Sequence, residues 1–229
     1  MGTELDSRGV DTHDPLWSAL ALTTVPEAVR QVHTDYLKAG ARVITTNTYQ
    51  ATLPALLRAG HDAHRAREVI AAGARLAGEA ARRFEAEHPE AQVLIAGGLG
   101  PYGAYLADGS EYTGVYDVGA LDAPVFRDVH LPRIEMLAGE GIDLFALETL
   151  PRLDEAQALV GAVEDLAAES ECWVSFQVRP DGAHLADGTP LAEAAAWAAD
   201  QETVVAVGVN CVAPDVVGRA LPVLREVTA

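Results

Sequence analysis

The chain has 229 residues, 49% apolar and 22% charged, the proportions of a chain that folds around a core rather than a disordered or low-complexity one. Sixteen Lys and Arg against 34 Asp and Glu give a formal charge of −18, which argues against nucleic acid or anionic membrane as a partner, because their phosphates would be repelled. The single lysine, Lys38, speaks against Schiff-base chemistry, and two cysteines, Cys172 and Cys211, are too few for a disulfide framework and point to a reducing, cytoplasmic setting.

The opening residues have neither a basic region nor an apolar run, and no segment approaches the roughly 18 apolar residues of a membrane span. Met1-Gly2 has the start of a myristoylation signal, but Asp6 stands where that signal needs Ser or Thr.

Taken in chain order, Thr24-Val-Pro-Glu27 has the form of a capping box. The helix it opens has Val29, Val32, Tyr36 and Leu37 on one face and Gly40 as its stop. A strand over 42–47 follows, then a long helix from Ala63 to Glu87 with Val69, Ile70, Leu76, Ala77 and Phe84 inward. The next strand is Val93 to Ala96. A glycine-rich loop leads to a helix near Pro132 to Ala138 and a strand over Asp143 to Glu148. Asp154 to Ala168 is helical, Trp173 to Val178 is a strand, and Thr189-Pro190 reads as an N-cap and first turn. Val204 to Asn210 is the fifth strand, and a last helix runs from Pro214 towards Val227.

Strands that are apolar throughout, alternating with helices, predict a parallel sheet covered by helices. Five strands could complete an open doubly wound sheet, whereas an eight-stranded barrel typically takes about 250 residues. No linker or composition break divides the chain, so a single domain is expected over 1–229.

In either architecture the functional face lies at the carboxyl ends of the strands. Unusual polar residues collect there: Thr46, Asn47, Thr48 and Tyr49; Gly97, Gly98 and Gly100; Glu148 and Thr149; Gln177; Asn210 and Cys211. Glu148 emerges from the apolar run Leu144 to Leu147, and a buried carboxylate needs a partner: a substrate ammonium, an Arg, or the start of the next helix. Cys211 reads either as a small buried hydrophobe or as a metal-ligating thiolate. Cys172 begins its strand, about 15 Å or more from that face, and shares no site with Cys211.

Gly98-Leu-Gly-Pro-Tyr-Gly103 matches the spacing of a dinucleotide-binding turn, but Pro101 lies inside it and Asp108-Gly109 follows as a turn, against a helix presenting amides to a pyrophosphate. The segment 96–116, with four tyrosines, is long enough to be a binding loop. His61 and His64 lie on an arginine-rich outer face. His184, after the fourth strand, is a reserve metal ligand.

At these residues the chain closely resembles the homocysteine S-methyltransferase family, the cobalamin-independent, zinc-dependent enzymes. The matching segments are Met1 to Leu5, Asp14 to Leu20, Ala39 to Gln50, Gly98 to Tyr112, Ala146 to Pro151, Trp173 to Phe176 and Val207 to Cys211. The resemblance implies a (β/α)8 TIM-type barrel and methyl transfer from a sulfonium donor, S-methylmethionine or S-adenosylmethionine, to the zinc-bound thiol of homocysteine, giving methionine. It implies Cys211 as one of three thiolate ligands and Glu148 as the contact to the homocysteine amino group, with Asn47, Thr48 and Asn210 as further substrate-binding residues. The remaining cysteine pair and an opening Asp-Gly pair of the family have no counterpart in the sequence. A chain carrying about five of eight strands is therefore expected, incomplete at both ends. Two alternatives stand beside the enzyme: a non-catalytic amino-acid-binding fragment, and an open-sheet α/β protein with another small-molecule substrate.

Overall fold

The computed structural model describes residues 1–11, 16–116 and 124–227; Asp14 and Pro15 of the matching segments lie outside the described residues. Its helices are α1 (Gly2–Ser7), α2 (Ala21–Thr24), α3 (Pro26–Lys38), α4 (Leu53–Arg58), α5 (Ala63–Glu87), α6 (Tyr102–Leu106), α7 (Pro124–Gly139), α8 (Leu153–Leu166), α9 (Leu191–Ala199) and α10 (Pro214–Val227). The strands are β1 (Val43–Thr45), β2 (Leu94–Leu99), β3 (Leu144–Leu150), β4 (Glu171–Phe176) and β5 (Val204–Val209). They form a five-stranded sheet in the order β1-β2-β3-β4-β5, with β1 parallel to β2 and β4 parallel to β5. A doubly wound sheet reverses its strand order at a switch point. No reversal occurs here.

The chain divides into two compact units, one of Met1–Gly98 with Leu131–Leu144, the other of Leu99–His130 with Phe145–Ala229. In the first, Leu37, Ile44, Ala77, Ala80, Ala81, Phe84 and Val93 form a buried cluster from α3, β1, α5 and the approach to β2. The helix periodicity is the cause. On α3, Val29, Val32 and Leu37 are buried, while Tyr36, expected beside them, is exposed and His33 takes the inward place. The capping box is not realised: Thr24 Oγ1 donates to Leu20 O at the end of α2, and α3 starts with Pro26 at its first position. Asp62 caps α5 instead, its carboxylate accepting from Arg65 N at 2.8 Å.

In the second unit, Ala156, Leu159, Val160 and Val163 of α8 are buried at helical spacing, and Phe145, Leu147, Val174 and Phe176 fill the strands they cover. The helix expected near Pro132 begins earlier, at Pro124, and runs through Pro132. Full burial of Val129, Ile134 and Leu137 offsets the roughly 3 kcal/mol that an internal proline costs a helix. Among the described residues no helix is long and apolar enough to cross a membrane.

Candidate functional site

The carboxyl ends of β3 and β5 both belong to the second unit, and side chains join them. Asn210, following β5, accepts from Thr149 N with its Oδ1 at 2.8 Å and donates from Nδ2 to Thr149 Oγ1 at 3.0 Å. Thr149 Oγ1 in turn donates to Cys211 Sγ at 3.4 Å. The backbone completes the join: Asn210 N donates to Phe176 O, and Gln177 N donates to Leu150 O. Three of the residues expected at one face, Glu148, Asn210 and Cys211, thus stand on the linked ends of these strands.

Cys211 is exposed, which removes its reading as a buried hydrophobe. Cys172 is buried in β4, level with the start of β5, and burial pushes its thiol up to about 12, with Glu164 and Glu171 adding to the shift. The two cysteines occupy opposite ends of neighbouring strands.

Glu148 is half-buried, and desolvation raises its carboxyl above the usual range; a hydrogen bond from Trp173, on the neighbouring β4, opposes that shift. Among the described residues no Arg, Lys or His side chain forms an ion pair with it, and the helix that follows, α8, has Arg152 at its N-cap position. Both local alternatives for this carboxylate are therefore unfilled. Nearby in sequence to β4's end, Gln177 is buried, and its Oε1 has no hydrogen-bond partner among the described residues.

Asn47 and Thr48 lie in the first unit, where their polar atoms are already engaged. Asn47 accepts from Ser18 Oγ at 2.9 Å and donates to Ser18 O at 2.7 Å. Thr48 Oγ1 donates to Gly98 O at 2.8 Å, and Gly98 N donates to Thr46 Oγ1 at 2.9 Å. A hydroxyl carries one proton, so the 2.6 Å contact between the two threonines runs from Thr46 to Thr48 and closes a ring through both polar groups of Gly98. A Cβ on Gly98 would sit 3.0 Å from Thr46 O and from the Thr45 methyl, which explains a glycine there without any phosphate.

The glycine-rich segment departs from expectation in one respect. A short helix, α6, does open inside it at Tyr102, directly after Pro101. The place an anion would take is filled from within, since Glu155 Oε1 accepts from Tyr102 N at 2.5 Å. Glu155 is fully buried and also accepts from Tyr116 Oη at 2.6 Å, with His130 Nε2 at 3.3 Å. Burial and the Glu155 charge push the Tyr116 phenol up, which keeps it a donor. Nothing in the sequence marked Glu155, because it sits in the charged first turn of a helix where a solvated carboxylate is the ordinary case.

Of the reserve ligands, His184 is partly exposed and held by Asp181 Oδ2 at 2.9 Å, and His64 is exposed. Among the described residues no group of three His, Cys, Asp or Glu side chains is placed to hold a metal.

A family model described as homocysteine S-methyltransferase matches residues 1–229. The homocysteine S-methyltransferase of Escherichia coli strain K12 is 43% identical over 231 positions, covering 100% of this chain and 72% of the relative. The selenocysteine methyltransferase of Astragalus bisulcatus is 35% identical, over 100% of this chain and 71% of its own length. Among solved structures, the metallated form of the Escherichia coli homocysteine methyltransferase MmuM matches with a TM-score of 0.92 at 42% identity, covering 100% of this chain and 78% of that one. Its apo form matches with a TM-score of 0.80 at 36% identity, over 100% and 76%. With sequence, family model and fold in agreement along the whole chain, it belongs to the homocysteine S-methyltransferase family.

Proposed function

We propose that the linked ends of β3 and β5 form the homocysteine-binding end of a methyltransferase site. Glu148 takes the substrate ammonium, Cys211 contributes one thiolate of a zinc centre, and Asn210 fixes the geometry of this corner. Asn47 and Thr48 serve by shaping the end of β1 through the hydrogen bonds they already make. The reaction joins a methyl group from a sulfonium donor, S-methylmethionine or S-adenosylmethionine, to the homocysteine sulfur. The donor's methyl–sulfur bond breaks with its electron pair left on the donor, the new bond gives methionine, and the thiol proton is released.

Glu148 is the observation that carries the reading. A half-buried carboxylate with an indole donor and no side-chain cation holds uncompensated charge, and the ammonium of an amino acid supplies the missing partner. The described residues do not hold zinc by themselves; Cys211, exposed at a strand end, has the chemistry of one ligand in a thiolate site. The sequential strand order supports the (β/α)8 barrel over a doubly wound sheet.

The test is methionine formation from homocysteine with S-methylmethionine or S-adenosylmethionine, with and without added zinc, for the chain and for Cys211→Ser and Glu148→Gln. Zinc-dependent methionine formation that both substitutions abolish supports the assignment. Turnover that survives Cys211→Ser overturns the role of that thiol.

A further inference from the structure

Among the described residues of the second unit, Thr149 and Cys211 share an unusual backbone: φ is 63° at Thr149 and 54° at Cys211, and neither is glycine. A β-branched residue in the left-handed region is an outlier that persists only where its surroundings over-determine it, and such outliers gather at functional sites. Here the surroundings can be named. Asn210, a residue type that tolerates left-handed backbone well, does not occupy it; its amide grips Thr149 at both N and Oγ1 instead.

The consequence follows from counting protons. Thr149 Oγ1 accepts from Asn210 Nδ2 and has one proton of its own, and that proton goes to Cys211 Sγ at 3.4 Å. Thr149 is fully buried, so no water competes for the hydroxyl. We infer that Thr149 is a positioning residue for Cys211: its strained backbone brings Oγ1 to the sulfur, and the two-point grip of Asn210 aims the hydroxyl proton at it. The inference deepens the proposed site and rests on Cys211 acting there. A merely structural Thr149 would tie β3 to β5 through Asn210 alone and leave the Cys211 side chain free to rotate.

The experiment is NMR on the isotope-labelled 229-residue chain, reading the Hα–Hβ couplings of Cys211 in the wild type, Thr149→Ser, Thr149→Val and Thr149→Gly. The expected result is unequal couplings, one rotamer, in the wild type and Thr149→Ser, and averaged couplings in Thr149→Val. Thr149→Gly keeps the left-handed backbone without strain, and it too is expected to show averaging, so the test stands even if Thr149→Val does not fold. A urea double-mutant cycle reads the same contact: Thr149→Val is expected to lower the folding equilibrium constant about threefold more in the wild type than in Cys211→Ala. Unaveraged Cys211 couplings in either folded variant that lacks the hydroxyl overturn the inference. Homocysteine binding is measured separately on Glu148→Gln. A chain whose couplings respond as expected but which binds no homocysteine keeps the positioning and loses the site reading.

Discussion

His130 Nε2 lies 3.3 Å from Glu155 Oε1 with both side chains fully buried, and the same carboxylate also receives the Tyr102 amide and the Tyr116 hydroxyl. One carboxylate thus fastens α6, the segment that follows it and α7 to the start of α8, within a single unit. Truncating it leaves an amide, a phenol and an imidazole without their acceptor. Glu155→Ala is expected to cost about 3–5 kcal/mol in urea denaturation, in line with removal of one partner from a buried polar pair. Glu155→Gln, which keeps one acceptor oxygen, is expected to cost less. Equal stability of Glu155→Ala and the wild type would contradict this account.

The same segment is closed by backbone contact at Gly103. A Cβ there would stand 2.3 Å from Glu111 N and 2.7 Å from Ser110 C, and backbone cannot swing aside as a flexible side chain can. Gly103→Ala is expected to lower stability by about 1–3 kcal/mol, the usual range for overpacking, and to open 99–116 to limited proteolysis. A protease-resistant, fully stable Gly103→Ala would show that the close approach is dispensable.

His33 in α3 is buried, and desolvation, with the N-terminal ammonium second, lowers its pKa from 6.5 to about 4. A depressed base stays neutral in the folded chain and takes up a proton on unfolding. Its contribution is therefore present above pH 6.5 and lost as pH falls towards 4, by up to about 3 kcal/mol for that displacement. Denaturation of the wild type and His33→Leu at pH 7 and pH 4.5 checks this. The wild type is expected to lose more stability between the two values than the variant, and parallel losses would count against it.

The two thiols are expected to separate cleanly. Cys211 is exposed, whereas Cys172 is buried with its thiol pushed up to about 12, so a disulfide reagent at pH 8 is expected to modify Cys211 rapidly and Cys172 only on unfolding. Cys211→Ser should remove the fast phase. Rapid reaction of Cys172 in the folded chain would contradict the burial.

What could be read in advance follows the length and regularity of each element. The long helix α5 was legible to the residue, because 25 residues of amphipathic periodicity fix both ends, and all five strands announced themselves as apolar runs. The helices α1, α2 and α4 have six, four and six residues, too few turns for a period to show. Pro132 hid the first half of α7, since proline usually stops a helix and here the burial on either side carries it through. At the site, Glu148 and Cys211 were identified by resemblance and by position at strand ends. Thr149's left-handed backbone left no trace in the sequence, because no pattern predicts that a β-branched residue will take a conformation it disfavours.

Glu148 joins stability and binding in opposite directions. Its raised carboxyl pKa means that the charged form costs folding free energy: the neutral form's advantage is present below the ordinary carboxylate range and lost as pH rises through the raised value. Glu148→Gln is therefore expected to be at least as stable as the wild type at pH 7 while losing the charge that takes the homocysteine ammonium. The direct measurement is calorimetric titration of L-homocysteine into the wild-type chain and Glu148→Gln at pH 7, beside their urea midpoints. The account predicts binding by the wild type, weakening of about tenfold or more in Glu148→Gln, and an equal or higher midpoint for the variant. Equal affinity in the two proteins would contradict it.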